Sequence, residues 1–132
     1  MSESDLLWLF IQSVPREIPG AHAERRAILR GARIGDGDAR ISIGIEGQAD
    51  SFVVLPGALH VECETKSAKA GHDPDKGCKC KTCEAQRRWR ANCQRLGIPY
   101  LILRGIKGED SPTTVARWIE TLKVELPRAD RR

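Results

Sequence analysis

The sequence predicts an α/β fold: a mixed β-sheet flanked by helices, in the order α-β-β-β-α-β-α. Three observations carry this reading. Helical periodicity appears at the start, after residue 83 and near the end of the chain. Short alternating or apolar runs, separated by turn residues, fill the stretch from 27 to 65. The unbroken run Tyr100-Leu101-Ile102-Leu103 reads as a central strand. A length of 132 residues fits a single domain, 1–132, around one core. The balance of 40% hydrophobic and 30% charged residues is that of a globular chain and excludes a disordered one.

Ser2 or Ser4 can cap a first helix running to about Val14, with Leu6, Leu7, Phe10, Ile11 and Val14 as its inner stripe. Trp8 and Leu9 widen the apolar surface, which suits a second contact such as a dimer partner. Pro15 and Pro19-Gly20 are expected to end the helix. Residues from about Ala27 to Ile34 read as extended, followed by the turn Gly35-Asp36-Gly37-Asp38 and by the alternation Ile41, Ile43, Ile45. Phe52 to Leu55 and Leu59 to Thr65 form the next hairpin around Pro56-Gly57. A polar, Cys-rich loop spans about 69–83. A helix from about Cys83 to Leu96 presents Ala85, Trp89, Cys93 and Leu96 inward and stops at Gly97. The last helix starts at Ser111-Pro112 and buries Val115, Trp118, Ile119, Leu122 and Leu126.

Chemistry concentrates at Asp50 and at Glu62-Cys63-Glu64-Thr65-Lys66. Alternate strand residues share a face, so His60, Glu62, Glu64 and Lys66 point one way, and Val61, Cys63 and Thr65 the other. Two carboxylates and a lysine on one face are costly to bury unless a metal or another charge meets them. Asp50 and Glu64 are the candidate ligands of a hard divalent cation, with the backbone of Thr65 as a third donor. Lys66 is the candidate for orienting water or stabilising charge on a phosphate. Glu62 stays ambiguous, either a supporting acid or an exposed one.

These residues resemble the VRR-NUC branch of the PD-(D/E)xK nucleases, in particular its small stand-alone phage and bacterial members. Gly47-Gln48-Ala49-Asp50 is similar to the glycine-x-x-aspartate of that family, and Glu64-Thr65-Lys66 to its Glu-x-Lys. Gln86 matches a glutamine in the following helix, and Glu3 an acidic residue in the first. The resemblance covers Glu3 to about Arg104. It implies a restriction-endonuclease-like core and Mg²⁺- or Mn²⁺-dependent cleavage of DNA, often of branched DNA such as Holliday junctions. It also implies a homodimer and catalytic roles for Asp50, Glu64, Lys66, Gln86 and Glu3.

Cys78-x-Cys80-x-x-Cys83 departs from that pattern and has zinc-ligand spacing, with His72 or Cys93 as the fourth donor. Ten helical residues span ~15 Å, which sets Cys93 too far from Cys83 to share an ion. Three reduced cysteines in a basic loop are the plainer reading. If zinc is bound, a non-catalytic DNA- or protein-binding module becomes the alternative function. Lys69, Lys79, Lys81, Arg87 and Arg90 are the candidate DNA contacts. The net charge of +4, from 22 basic and 18 acidic residues, permits nucleic-acid binding without demanding it. Basic runs lack interleaved aromatics, so backbone and shape contacts fit better than base stacking. No apolar run reaches the ~20 residues of a membrane span, and the acidic start lacks the basic region of a signal peptide. The expected setting is the cytoplasm, bacterial or of a phage-infected host.

Overall fold

The computed structural model describes residues 2–26, 29–33, 40–43, 47–69 and 71–126, with 29–33 and 40–43 described by their backbone only. Its helices are α1 (Glu3–Glu17), α2 (Lys81–Arg95) and α3 (Ser111–Lys123). Its strands are β1 (His22–Arg25), β2 (Leu29–Arg33), β3 (Arg40–Ile43), β4 (Ser51–Leu55), β5 (Leu59–Lys66) and β6 (Tyr100–Arg104). The expected α/β architecture is present as a four-stranded mixed sheet of order β1-β4-β5-β6. The pairings β1–β4 and β4–β5 are antiparallel, while β5–β6 is parallel, with α2 as the crossover between them. Strands β2 and β3 pair separately as a hairpin with an irregular register. The turn 35–38 and Ile45 lie outside the described residues.

One face of the sheet builds the apolar core. Val53, Leu55, Val61, Cys63 and Leu103 pack there against Leu6, Leu7, Phe10 and Val14 of α1 and against Val115, Trp118, Ile119 and Leu122 of α3. Phe10 and Trp118 meet edge to face at 5.9 Å between ring centroids. The other face carries Glu62, Glu64 and Lys66 and is met by Gln86 and Trp89 of α2. The alternation of β5 thus divides the molecule into a dry layer and a polar one.

Several boundaries differ from the sequence expectation. Pro15 lies inside α1, which continues to Glu17, and Ile18 still donates to the Val14 carbonyl at 2.8 Å. A proline near the C-terminal end forfeits one intrahelical bond, and buried Val14 and Ile18 hold the turn regardless. Ser2 caps the helix in a reciprocal box with Asp5. Strand β1 lies ahead of the expected first strand. Its sequence, His-Ala-Glu-Arg, is too short and polar to announce an edge strand. Helix α2 starts at Lys81, with Cys80 as its cap. Leu96 falls just past its end and is 57% exposed instead of facing inward. The cap of α3 is Asp110, whose carboxylate accepts from the Thr113 N–H at 2.8 Å, so Ser111 is the first helical residue. Leu126 is buried beyond the end of α3.

Gly47 locks the polar layer together. Its φ is +81°, and a Cβ there would lie 2.2 Å from the Ala85 carbonyl carbon, inside α2. The loop carrying Asp50 therefore touches α2 backbone to backbone. Gly47→Ala is expected to cost at least about 2 kcal/mol, as left-handed strain combined with overpacking. Urea unfolding of the variant against wild type measures the loss.

Candidate functional site

Asp50 stands immediately before β4, and the register Ser51↔Cys63 brings it beside Glu64 and Thr65 at the end of β5. The Thr65 hydroxyl donates to Asp50 Oδ2 at 2.5 Å, and the Thr65 N–H donates to Oδ1 at 3.2 Å. The Asp50 N–H in turn donates to Glu64 Oε2 at 2.9 Å. Gln86 bridges the remaining partners. Its Nε2 donates to Glu64 Oε1 at 3.2 Å, and its Oε1 accepts from Lys66 Nζ at 3.1 Å. Lys66 Nζ also lies 3.7 Å from Glu64 Oε1. Glu64 and Lys66 are only 6% and 8% exposed, and Gln86 is buried with them. Glu3 sits at the near end of α1 and accepts the Ser67 N–H at 3.1 Å.

The structure thus brings together Asp50, Glu64, Thr65, Lys66 and Gln86, with Glu3 at the margin. Thr65 contributes its N–H and hydroxyl to Asp50. Burial pushes the Asp50 carboxyl up to about 6, against the bonds from Thr65. Burial and then the charge of Asp50 push Glu64 up to about 8. The charge of Glu3 raises both. Among the described residues, Glu3, Asp50 and Glu64 do not converge within 4.8 Å as a three-carboxylate cluster. The site is a repelling carboxylate pair with Lys66 on one flank.

Glu62 resolves the sequence ambiguity: it is neither exposed nor available. It is 1% exposed and takes both Arg26 nitrogens, at 2.6 and 2.9 Å. His60 Nε2 lies 2.6 Å from Oε2, and the Trp89 indole N–H donates at 3.0 Å. Burial opposes its charge, but these partners outweigh it and hold Glu62 below the ordinary carboxylate range. Arg26 also reaches the Ala49 carbonyl at 3.0 Å, while its N–H donates to the Asp50 carbonyl at 2.7 Å. Arg26 and Trp89 are therefore positioning residues that the sequence reading missed, since neither sits in a recognisable spacing with Glu62.

The Cys-rich loop is braced from three sides. Arg104 grips Asp73 with two bonds of 2.9 Å and Asp75 with a third of the same length. Arg90 pairs with Asp75 at 2.5 Å. Arg87 donates to the Cys78 carbonyl at 2.7 Å. Arg87 and Arg90 are thus engaged with the loop, whereas Lys69, Lys79 and Lys81 are exposed. Asp73-Pro74, a capping residue followed by proline, was the legible signal for the short 3₁₀ turn at Pro74–Lys76. His72, Cys78, Cys80 and Cys83 bring one ligand atom each to within 4.8 Å of one another, a group that could hold a metal ion. Cys93 is buried away from them.

Beside Glu3 lies an open groove of about 610 Å³, with Lys69, Lys107 and Glu109 among its walls. Among the described residues, no helix is long and apolar enough to cross a membrane. Comparison with protein-family models, curated proteins and solved structures finds no match to this chain.

Two outcomes follow from these charges. Asp50 and Glu64 hold protons more tightly folded than unfolded, so metal-free stability falls as pH rises from about 4.5 to about 8. Asp50→Asn with Glu64→Gln is expected to flatten that fall and raise Tm at pH 8, as read by calorimetry with chelator present. Equal slopes in both proteins would contradict the assignment. Glu62→Ala, which strands half-buried Arg26, is expected to cost about 3 kcal/mol in urea.

Proposed function

We propose that this chain is a metal-dependent deoxyribonuclease of the VRR-NUC type, with a restriction-endonuclease-like core. The observation that carries the reading is the meeting of half-buried Asp50 and buried Glu64 at the ends of neighbouring strands, with like charge that raises Glu64 and with Lys66 and Gln86 beside them. Among the described residues no basic side chain pairs with Asp50 within 4.0 Å, so its charge lacks a partner that a cation would supply. Oxygen donors of this kind suit Mg²⁺ or Mn²⁺. Each carboxylate keeps acceptor capacity beyond the bonds already made.

Asp50 and Glu64 would hold the ion, with the Thr65 backbone as a further donor. Bound there, the ion would supply Lewis-acid polarisation of a phosphate and a more acidic attacking water. Thr65 fixes the Asp50 carboxylate through its hydroxyl and N–H, which removes a rotamer that substrate binding would otherwise have to freeze. Gln86 fixes the other two groups, accepting from Lys66 and donating to Glu64, so the ammonium is aimed without forming a tight ion pair. Lys66 then offers a preorganised positive charge to the phosphoryl oxygens as negative charge develops. Glu3, bonded to the Ser67 N–H, adds negative charge at the margin. Exposed Lys69, Lys79 and Lys81 would attract the DNA backbone, with binding that weakens as salt rises. A homodimer would use the outer side of α1, where Trp8 is 48% exposed.

The Cys/His group favours a second reading, a zinc-braced module that binds DNA or protein without cutting it. One assay separates the two. With Mn²⁺ and a four-way DNA junction or linear duplex, the nuclease reading expects strand cleavage. Asp50→Ala, Glu64→Ala and Lys66→Ala should each lower it at least about 100-fold. Glu120→Gln, on the exposed side of α3, should leave it unchanged. Binding without cleavage, or cleavage that survives Asp50→Ala and Glu64→Ala, would reject the proposed site.

A further inference from the structure

We propose that His72, Cys78, Cys80 and Cys83 hold a structural zinc ion that fastens the 72–83 loop to the first turn of α2 and thereby sets Gln86. The four donor atoms already lie within 4.8 Å of one another, close to the ~4 Å edges of a tetrahedron built on Zn–S bonds of ~2.3 Å. Three sulfurs and one imidazole nitrogen are a closed donor set, with no position left for water, which marks a structural rather than a catalytic centre. Soft thiolates select zinc over the hard cations that suit Asp50 and Glu64. The two sites therefore sort different metals, and the inference stands whether or not the chain cuts DNA.

The backbone is shaped for such an ion. Gly77 takes φ +76° between His72 and Cys78, the left-handed turn that folds the loop back on itself. Cys78 Sγ lies 3.7 Å from His72 Nδ1. Cys80 is the cap of α2, its sulfur facing the Cys83 N–H at 3.3 Å, and Cys83 is buried one helical turn before Gln86. The loop buries little of its own apolar surface; among residues 71–80 only Asp73 and Pro74 are buried. The Arg104–Asp73 bond ties it to β6 and the Arg87–Cys78 bond to α2, and an ion would close the remaining side. Three thiolates with Zn²⁺ leave one negative charge, beside exposed Lys79 and Lys81.

The test uses the full chain purified under reducing conditions. Elemental analysis should find about one zinc per chain, lost in Cys80→Ser with Cys83→Ser. Replacement by Co²⁺ should give the visible bands of a tetrahedral ion with thiolate-to-cobalt charge transfer. If the serine variant does not fold, His72→Cys keeps a closed four-ligand set and should retain the metal with a shifted cobalt spectrum. Removing zinc from wild type with a chelator should speed hydrogen exchange over Glu84–Arg88 by tenfold or more, while exchange in α3 stays unchanged. Reduced wild type that carries no zinc and gives no thiolate–cobalt band would overturn the site. Zinc whose removal leaves exchange in α2 unaltered would overturn its role in setting Gln86.

Discussion

Two carboxylates share the end of one strand pair, and the polar half of this protein is arranged around that fact. Burial raises the proton affinity of both Asp50 and Glu64, and the charge of Asp50 raises that of Glu64 further. Such a pair opposes folding when both are charged, so it persists only if the surrounding structure leaves it no alternative place. The hairpin β4–β5 sets the register, the Arg26–Glu62 pair ties the preceding loop down, and Gly47 lets that loop press against α2. Repulsion is held in place by contacts outside the pair itself.

Glu62 and Glu64 make the principle visible because they differ in little else. Both lie on β5, both face α2 and both are nearly inaccessible. Glu62 meets a bidentate guanidinium, an imidazole and an indole N–H, and it holds its charge easily. Glu64 meets a neutral amide, a backbone N–H and a lysine at 3.7 Å, and its carboxyl is pushed up to about 8 instead. The first is a structural ion pair, while the second is a group with unmet demand for positive charge. Strand position made the two look interchangeable, and only the residues packed opposite them distinguish their roles.

Much of the architecture was legible because it rests on local chemistry. The stripe Leu6, Leu7, Phe10, Val14, the Pro56-Gly57 turn and the apolar run at Tyr100 each write their element directly into the chain. The convergence of Asp50, Glu64 and Lys66 was legible too, since the hairpin spacing sets Asp50 beside Glu64 and strand alternation puts Glu64 and Lys66 on one face, while Gln86 was named only through the family resemblance. What stayed hidden depends on partners distant in sequence. The edge strand β1 has no apolar pattern of its own and exists through its pairing with β4. Arg26 and Trp89, two of the partners of Glu62, are 36 and 27 residues away, beyond any spacing rule. Arg87 and Arg90 read as a free basic face, but their acceptors sit on the Cys-rich loop, whose path turns on Gly77 and on the Asp73–Arg104 pair.

A hard cation is proposed to answer the demand at Asp50 and Glu64, and direct counting of bound Mn²⁺ tests that proposal best. In an electron paramagnetic resonance titration, the sharp signal of free Mn²⁺ disappears on binding. With the cysteines loaded with zinc beforehand, wild type is predicted to remove Mn²⁺ from solution near pH 8, more weakly near pH 5, and Asp50→Asn with Glu64→Gln to remove none. Mn²⁺ that stays free beside the wild-type chain, or binds equally to that variant, would contradict the account.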